Sequence, residues 1–313
     1  MKITTSLIPL AVAVFAPLLV SAESKPGAPK KPPGTQELPE LPEALRTLTP
    51  SKRNHEGTPA ARLQRREGLL LLSLSTAQSL TPEQWDAVAS LHVKAFAFND
   101  QALSDKDMDR LVALDPERVS LRITPLTGAG AGRFGAMKNL RSLQSHHMHQ
   151  PTPEAREAFA QHANLEEFRT AGEFCIEALH APHLKYVELA EKAATAEQVR
   201  HLAKQPDLET LSLFAHNILT VDDACLAEVA KIKTLKTVRL SFVTLHFEGG
   251  LSHLLDLPRL KEVSLNIADV SEADLQKLKA ARPDLKVNFT PMNEEYRNTV
   301  AKLIAKQAGV PTK

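Results

Sequence analysis

The chain is 313 residues long and carries 38 basic and 37 acidic residues, a formal net charge of +1. That balance excludes a nucleic-acid groove or an acidic tail as the organising feature. Aromatic residues make up 4% of the chain, so its core must be mostly Leu, Val and Ala, and 313 residues is long for one compact centre.

Residues 1–22 read as a signal peptide. Lys2 precedes the apolar run LIPLAVAVFAPLLV (7–20), and Val20-Ser21-Ala22 places small residues before Glu23. Pro9, Pro17 and the shortness of the run disfavour an uncleaved membrane anchor, and no cysteine stands at the cleavage point to carry a lipid. The expectation is an exported protein, periplasmic or secreted, with no stable membrane insertion after signal removal. Residues 23–57 hold seven prolines (26, 29, 32, 33, 39, 42 and 50) among Lys, Glu and Ser, the composition of an extended linker. The segment 58–67 contains TPAARLQRRE, which predicts a short polar helix capping the start of a domain over 58–290.

Within that domain one unit recurs. LETLSL (208–213), LKTVRL (235–240) and LKEVSL (260–265) share an aliphatic spacing that suits a short strand with one buried face. Anchored on the first residue of each hexad, the series runs Leu69, Val93, Pro116, Leu140, Leu165, Leu184, Leu208, Leu235, Leu260 and Leu285. LRSLQS (140–145) and LEEFRT (165–170) lose the last aliphatic, and the 19-residue step from Leu165 to Leu184 leaves one repeat short of a helix near 170–184. Helix starts form a second series: Thr81, Ser104, Thr152, Thr195, Asp222 and Ser271 all read as N-caps, with Gln84 and Gln198 completing capping boxes. A strand and helix at this period cannot bury an apolar face alone, so neighbours stack into a solenoid.

The pattern LxxLxL followed by a capped helix resembles the leucine-rich-repeat family over about residues 68–290. The block LTVDDACLAEVAKIKTLKTVRL (219–240) is similar to bacterial repeats of that family. Two departures stand out. The asparagine that many such repeats place after the strand is replaced by His216, Met148 and Thr124, and the helix glycine by Ala224 and Ala273. The resemblance implies an α/β horseshoe of about ten repeats, with a parallel concave sheet, outer helices and a protein or peptide ligand. Residues 291–313 read as a C-terminal helix and tail, with Tyr296, Val300, Leu303 and Ile304 on one face covering the open end of the last repeat.

Candidate chemistry is sparse. Cys175 and Cys225 fall two repeats apart, roughly 10 Å on strand spacing alone, beyond the ~7 Å that a disulfide tolerates, so two buried free thiols are expected. His146, His147 and His149 surround Met148 and offer zinc or copper ligands, but no acid or cysteine lies close in sequence to complete a site. TGAGAGRFGA (127–136), with Gly128 to Gly135, lacks the Lys-Ser or Lys-Thr of a phosphate loop and reads as a flexible loop replacing a helix. No nucleophile elbow, HExxH or paired-carboxylate motif appears, so neither enzyme activity nor a cofactor is indicated. Strand alternation turns the third and fifth residue of each hexad onto the concave face. Arg118, Gln144, Glu167, Arg169, Tyr186, Glu188, Arg239 and Glu262 are therefore the candidate ligand-binding residues. Their mixed sign suits a polypeptide, and Tyr with Arg has the makeup of an interface anchor. A metal-binding envelope protein using the His146 to His149 cluster and a purely structural envelope spacer are the alternatives.

Overall fold

The computed structural model describes residues 38–307, apart from 67, 147–152, 154–156, 158–161, 172–178 and 216–220. Eleven strands form one sheet, and their order in space is their order in sequence. β1 (Ala61–Arg66) runs antiparallel to β2 (Leu69–Thr76). Nine further strands follow, each parallel to the one before: β3 (Ala95–Asp100), β4 (Arg118–Arg122), β5 (Ser142–His146), β6 (Glu167–Thr170), β7 (Tyr186–Ala190), β8 (Thr210–Phe214), β9 (Thr237–Ser241), β10 (Glu262–Ala268) and β11 (Lys286–Pro291). Parallel neighbours require a crossover between strands. Among the described residues the crossovers include short α-helices, as at Pro82–Ser90, Ala196–Leu202, Asp223–Val229 and Glu272–Ala281, and a 3-10 turn at Leu251–Asp256. The architecture is an α/β leucine-rich-repeat solenoid.

Register follows the hexads. The third residues pair in series from Leu71 through Ala95, Arg118, Ser142, Glu167, Tyr186, Thr210 and Thr237 to Glu262. The last anchor needs correction: Glu262 pairs with Lys286, so the final repeat starts one residue before Leu285. Fourth-position side chains such as Leu72, Phe96, Phe168, Leu211 and Val263 stack beneath the sheet, all buried. Each such burial is worth about 2 kcal/mol, which makes the stack the main cohesive element. The two hexads without a final aliphatic put Ser145 and Thr170 into this interior, both buried.

Leaving the strand, the chain turns through a left-handed residue. Asp100, Ile123, Glu191, Phe242 and Ile267 occupy the eighth position of their repeats, with φ between 50° and 59°. None is glycine, and such a conformation strains β-branched Ile123 and Ile267. Backbone bonds to the adjacent repeat serve where an asparagine ladder is absent: Phe242 N–H donates to the Asn266 carbonyl at 3.0 Å, and Asp269 N–H to that of Val243 at 2.8 Å.

The N-terminal end departs from expectation in two ways. The segment expected as a capping helix over 58–67 is strand β1. Its Ala61 and Leu63 pair with Leu74 and Leu72 on the core side, and Gly68, at φ 82°, closes the tight turn between Arg66 and Leu69. The linker expected up to residue 57 is folded from Leu38: helix Glu43–Arg46 buries Leu45 at 1% exposure and packs against helix Pro82–Ser90. Pro50 then bridges to Thr76, and Arg53 reaches Asp100 at 2.9 Å. At the other end, the first turn of helix Glu294–Gln307 reaches the turns after β9 and β10. Tyr296 packs on Phe242 at 4.8 Å, and Arg297 meets Asp269 at 3.0 Å. The side chains of Val300, Leu303 and Ile304 lie outside the described residues. Among the described residues, no helix is long and apolar enough to cross a membrane.

Candidate binding face

The side of the sheet away from the helices carries the third and fifth residues of every repeat, because successive side chains on a strand point to opposite faces. All eight candidate residues lie there. Four form one cluster on the adjacent strands β6 and β7. Arg169 donates from Nε to Glu167 Oε1 at 2.7 Å, its Nη1 lies 4.0 Å from Glu188 Oε2, and its guanidinium stands 4.6 Å over the Tyr186 ring. The Tyr186 hydroxyl donates to Glu188 Oε2 at 3.0 Å, and Ser142 Oγ donates to Glu167 Oε2 at 2.7 Å. A cation stacked on one ring and bonded to flanking carboxylates has few rotamers left to lose.

The electrostatics follow from this packing. Burial pushes the Tyr186 phenol up to about 12, with the Glu188 carboxylate adding to the effect, so Tyr186 remains a neutral donor. Burial also opposes the charge on Glu167, but Arg169 and the Ser142 hydroxyl outweigh it and hold this carboxyl below its ordinary value. For Arg169, burial works against the charge, yet Tyr186, Glu167 and Glu188 prevail and raise its pKa.

The other candidates are dispersed. Gln144, beside the cluster, accepts from Ser120 at 3.4 Å and lies 2.7 Å from His146 Nε2. Arg118 is half-buried, and its charge reaches Glu167. Arg239 is exposed on β9, two strands beyond Tyr186, and Glu262 belongs to a separate group with Lys286 at 3.3 Å and Asn288 at 2.7 Å.

Sequence reasoning missed the N-terminal part of this face. Between β1 and β6 lies a hollow of about 210 Å³. Its floor is made of small side chains, Ser73, Ala95, Ala97 and Ser120, and its walls include Gln64, Arg66, Arg118 and Arg169. The sequence carried only part of the signal: Ser73, Ala95, Ala97 and Ser120 are small residues at third or fifth positions of the first three hexads, but ARLQRR alternates over its first four residues alone.

Of the remaining motifs, His146 lies on β5 while His147 and His149 fall outside the described residues. No group of three or more His, Cys, Asp or Glu residues able to hold a metal occurs among the described residues. Cys225 is a free, buried thiol pushed up to about 12 by burial and by Asp222 and Glu228; Cys175 lies outside the described residues. The glycine-rich stretch expected as a flexible loop is instead helix Gly128–Gly132 running into a 3-10 turn over Arg133–Ala136. A Cβ at Gly130 would meet the ends of the Asp105 and Leu126 side chains, which would have to move aside. Asp105 also takes the Thr127 N–H at 2.8 Å, so a carboxylate already occupies the place where an anion would sit.

No protein-family model and no curated protein sequence matches the chain. Among solved structures it is similar to a Bacteroides fragilis protein at 15% identity, with a TM-score of 0.44, over 64% of this chain and 67% of that one. TLR13, solved as a complex with the RNA ssRNA13, aligns at 16% identity and a TM-score of 0.49 over 71% of this chain, which spans 32% of TLR13. Internalin C2 of Listeria monocytogenes aligns at 16% identity and a TM-score of 0.34 over 70% of this chain and 80% of its own. The fold assignment rests on strand register and repeat period, not on these likenesses.

Proposed function

We propose that the chain is a non-enzymatic exported scaffold that binds a polypeptide partner on its open sheet face. The carrying observation is the Glu167–Arg169–Tyr186–Glu188 cluster, half-exposed in the middle of an eleven-strand sheet and held by its own hydrogen bonds. Aromatic and Arg anchors dominate protein interfaces, and side chains already immobilised lose little entropy on association. Export follows from the leader-like residues 1–22.

The test is capture of partners from envelope and culture fractions by the purified chain. A parallel bait carries Arg169→Glu, Tyr186→Ala and Arg239→Glu, with circular dichroism confirming that it folds. A partner held by the first bait and lost by the second supports the proposal. Identical captures by both baits would move the interface off this face, and the spacer reading requires that the substitutions change nothing. In direct titration with the partner, Tyr186→Ala alone weakens binding by about 2 kcal/mol, roughly thirtyfold.

A further inference from the structure

We propose that the hollow between β1 and β6 is a receptor for an acidic side chain of an extended peptide, with Arg66 at its rim receiving the carboxylate. The inference rests on the reading of the open sheet face as a binding surface and adds the chemistry of one subsite.

Charge is the first argument. Three guanidiniums line the hollow, on Arg66, Arg118 and Arg169, against the single carboxylate of Glu167. Arg169 is already committed to Glu167, Glu188 and the Tyr186 ring. Arg66 is different: it is exposed at the rim and has no carboxylate partner among the described residues. Arg62 lies on the same face of β1, opposite Ser73, and is also exposed. An incoming carboxylate therefore meets the Arg66 guanidinium, whose fork matches carboxylate geometry.

Shape is the second. Where later repeats carry Tyr, Glu and Arg on this face, Ala95 and Ala97 leave room, and the resulting hollow of about 210 Å³ is smaller than the roughly 300–1,000 Å³ of small-molecule pockets. It admits a side chain with its methylenes over Ala97 and Leu71. Nucleic acid fits poorly. Bases need exposed aromatic platforms, and the one aromatic residue lining the hollow, Phe96, is 1% exposed beneath the floor.

Fluorescence anisotropy on the purified full chain tests this with labelled octa-glutamate, octa-glutamine and an eight-nucleotide oligothymidylate. Octa-glutamate binds saturably and more weakly as salt rises, while octa-glutamine does not bind. Arg66→Gln weakens binding tenfold or more, and Arg66→Lys, which keeps the charge but not the fork, weakens it by less than Arg66→Gln does. Ala97→Leu fills the hollow from the open side without entering the core, and it also weakens binding at least tenfold. Absence of saturable octa-glutamate binding, an unchanged affinity in Ala97→Leu, or equally tight oligothymidylate binding overturns the inference. A cellular partner lost on Tyr186→Ala, with no octa-glutamate binding to the parent, would sink this subsite and leave the wider face reading standing. Octa-glutamate binding lost on Ala97→Leu, with capture unmoved by Tyr186→Ala, would uphold the subsite and shift the interface toward β1.

Discussion

Tyr186 shows how single residues define this surface. Its phenol ionises only near pH 12, because burial and Glu188 both disfavour the phenolate. Ultraviolet titration of the parent against Tyr186→Phe should reveal a component that appears only at the alkaline limit; a normal transition near 10 would mean that Tyr186 is not packed as described. His162 is buried, and burial lowers its pKa from 6.5 to about 4, so the folded state holds a neutral ring. The unfolded chain binds a proton there below 6.5. The contribution of neutral His162 to stability is therefore complete above pH 6.5 and is lost as pH falls toward 4, on the order of 3 kcal/mol in all. Urea denaturation at pH 7.5 and 4.5 should show that loss in the parent and a shallower one in His162→Leu. Cys225, with its thiol pushed up to about 12, should resist iodoacetamide in a Cys175→Ser background until the chain is denatured.

Repeat elements differ in how well they meet the rules that define them. Thr81 makes a full capping box with Gln84, accepting from its N–H at 3.3 Å while Gln84 Oε1 accepts from the Thr81 N–H at 2.8 Å. The second expected box is half-formed: Thr195 accepts from the Gln198 N–H at 3.3 Å, but Gln198 Oε1 is buried without a hydrogen-bond partner. Thr81→Ala should accordingly cost about 1 kcal/mol in thermal or urea unfolding. Ser145 stands where neighbouring strands place Leu121 and Thr170, and its Oγ is buried without a hydrogen-bond partner. Ser145→Ala should stabilise the chain by about 1 kcal/mol, since it removes an unsatisfied hydroxyl; a destabilisation of that size would contradict the packing of β5. The strands were legible because two residues in each hexad must face the core, and that constraint survives Pro116 and Ser145. The ends were not. Composition alone hides the anchoring of Leu45 amid prolines, and three arginines in ARLQRR disguise a strand whose apolar partners Leu72 and Leu74 lie on the next segment. Leu285 misplaced the last repeat by one because the inward residues are Val287 and Phe289, which pair with Val263 and Leu265.

At the scale of the whole molecule, each repeat is stabilised by its neighbours, with no common centre, so the two terminal strands must close the stack. β1 closes one end and adds Gln64 and Arg66 to the open face; β11 closes the other. Function was the least legible feature, because the binding residues obey no motif. They are whatever the alternation leaves outward, and only the register shows which of them meet. Glu167, Arg169, Tyr186 and Glu188 were recoverable as neighbours on one face, but the hollow was not, since it needs β1 to be a strand. The central claim is that partners dock on the open sheet. Its most direct test is a photo-crosslinking amino acid, p-benzoylphenylalanine, placed at Thr237 on that face and, separately, at Lys279 on the helix side. A polypeptide adduct from Thr237 with none from Lys279 is the predicted result. An adduct from Lys279 alone would contradict the account.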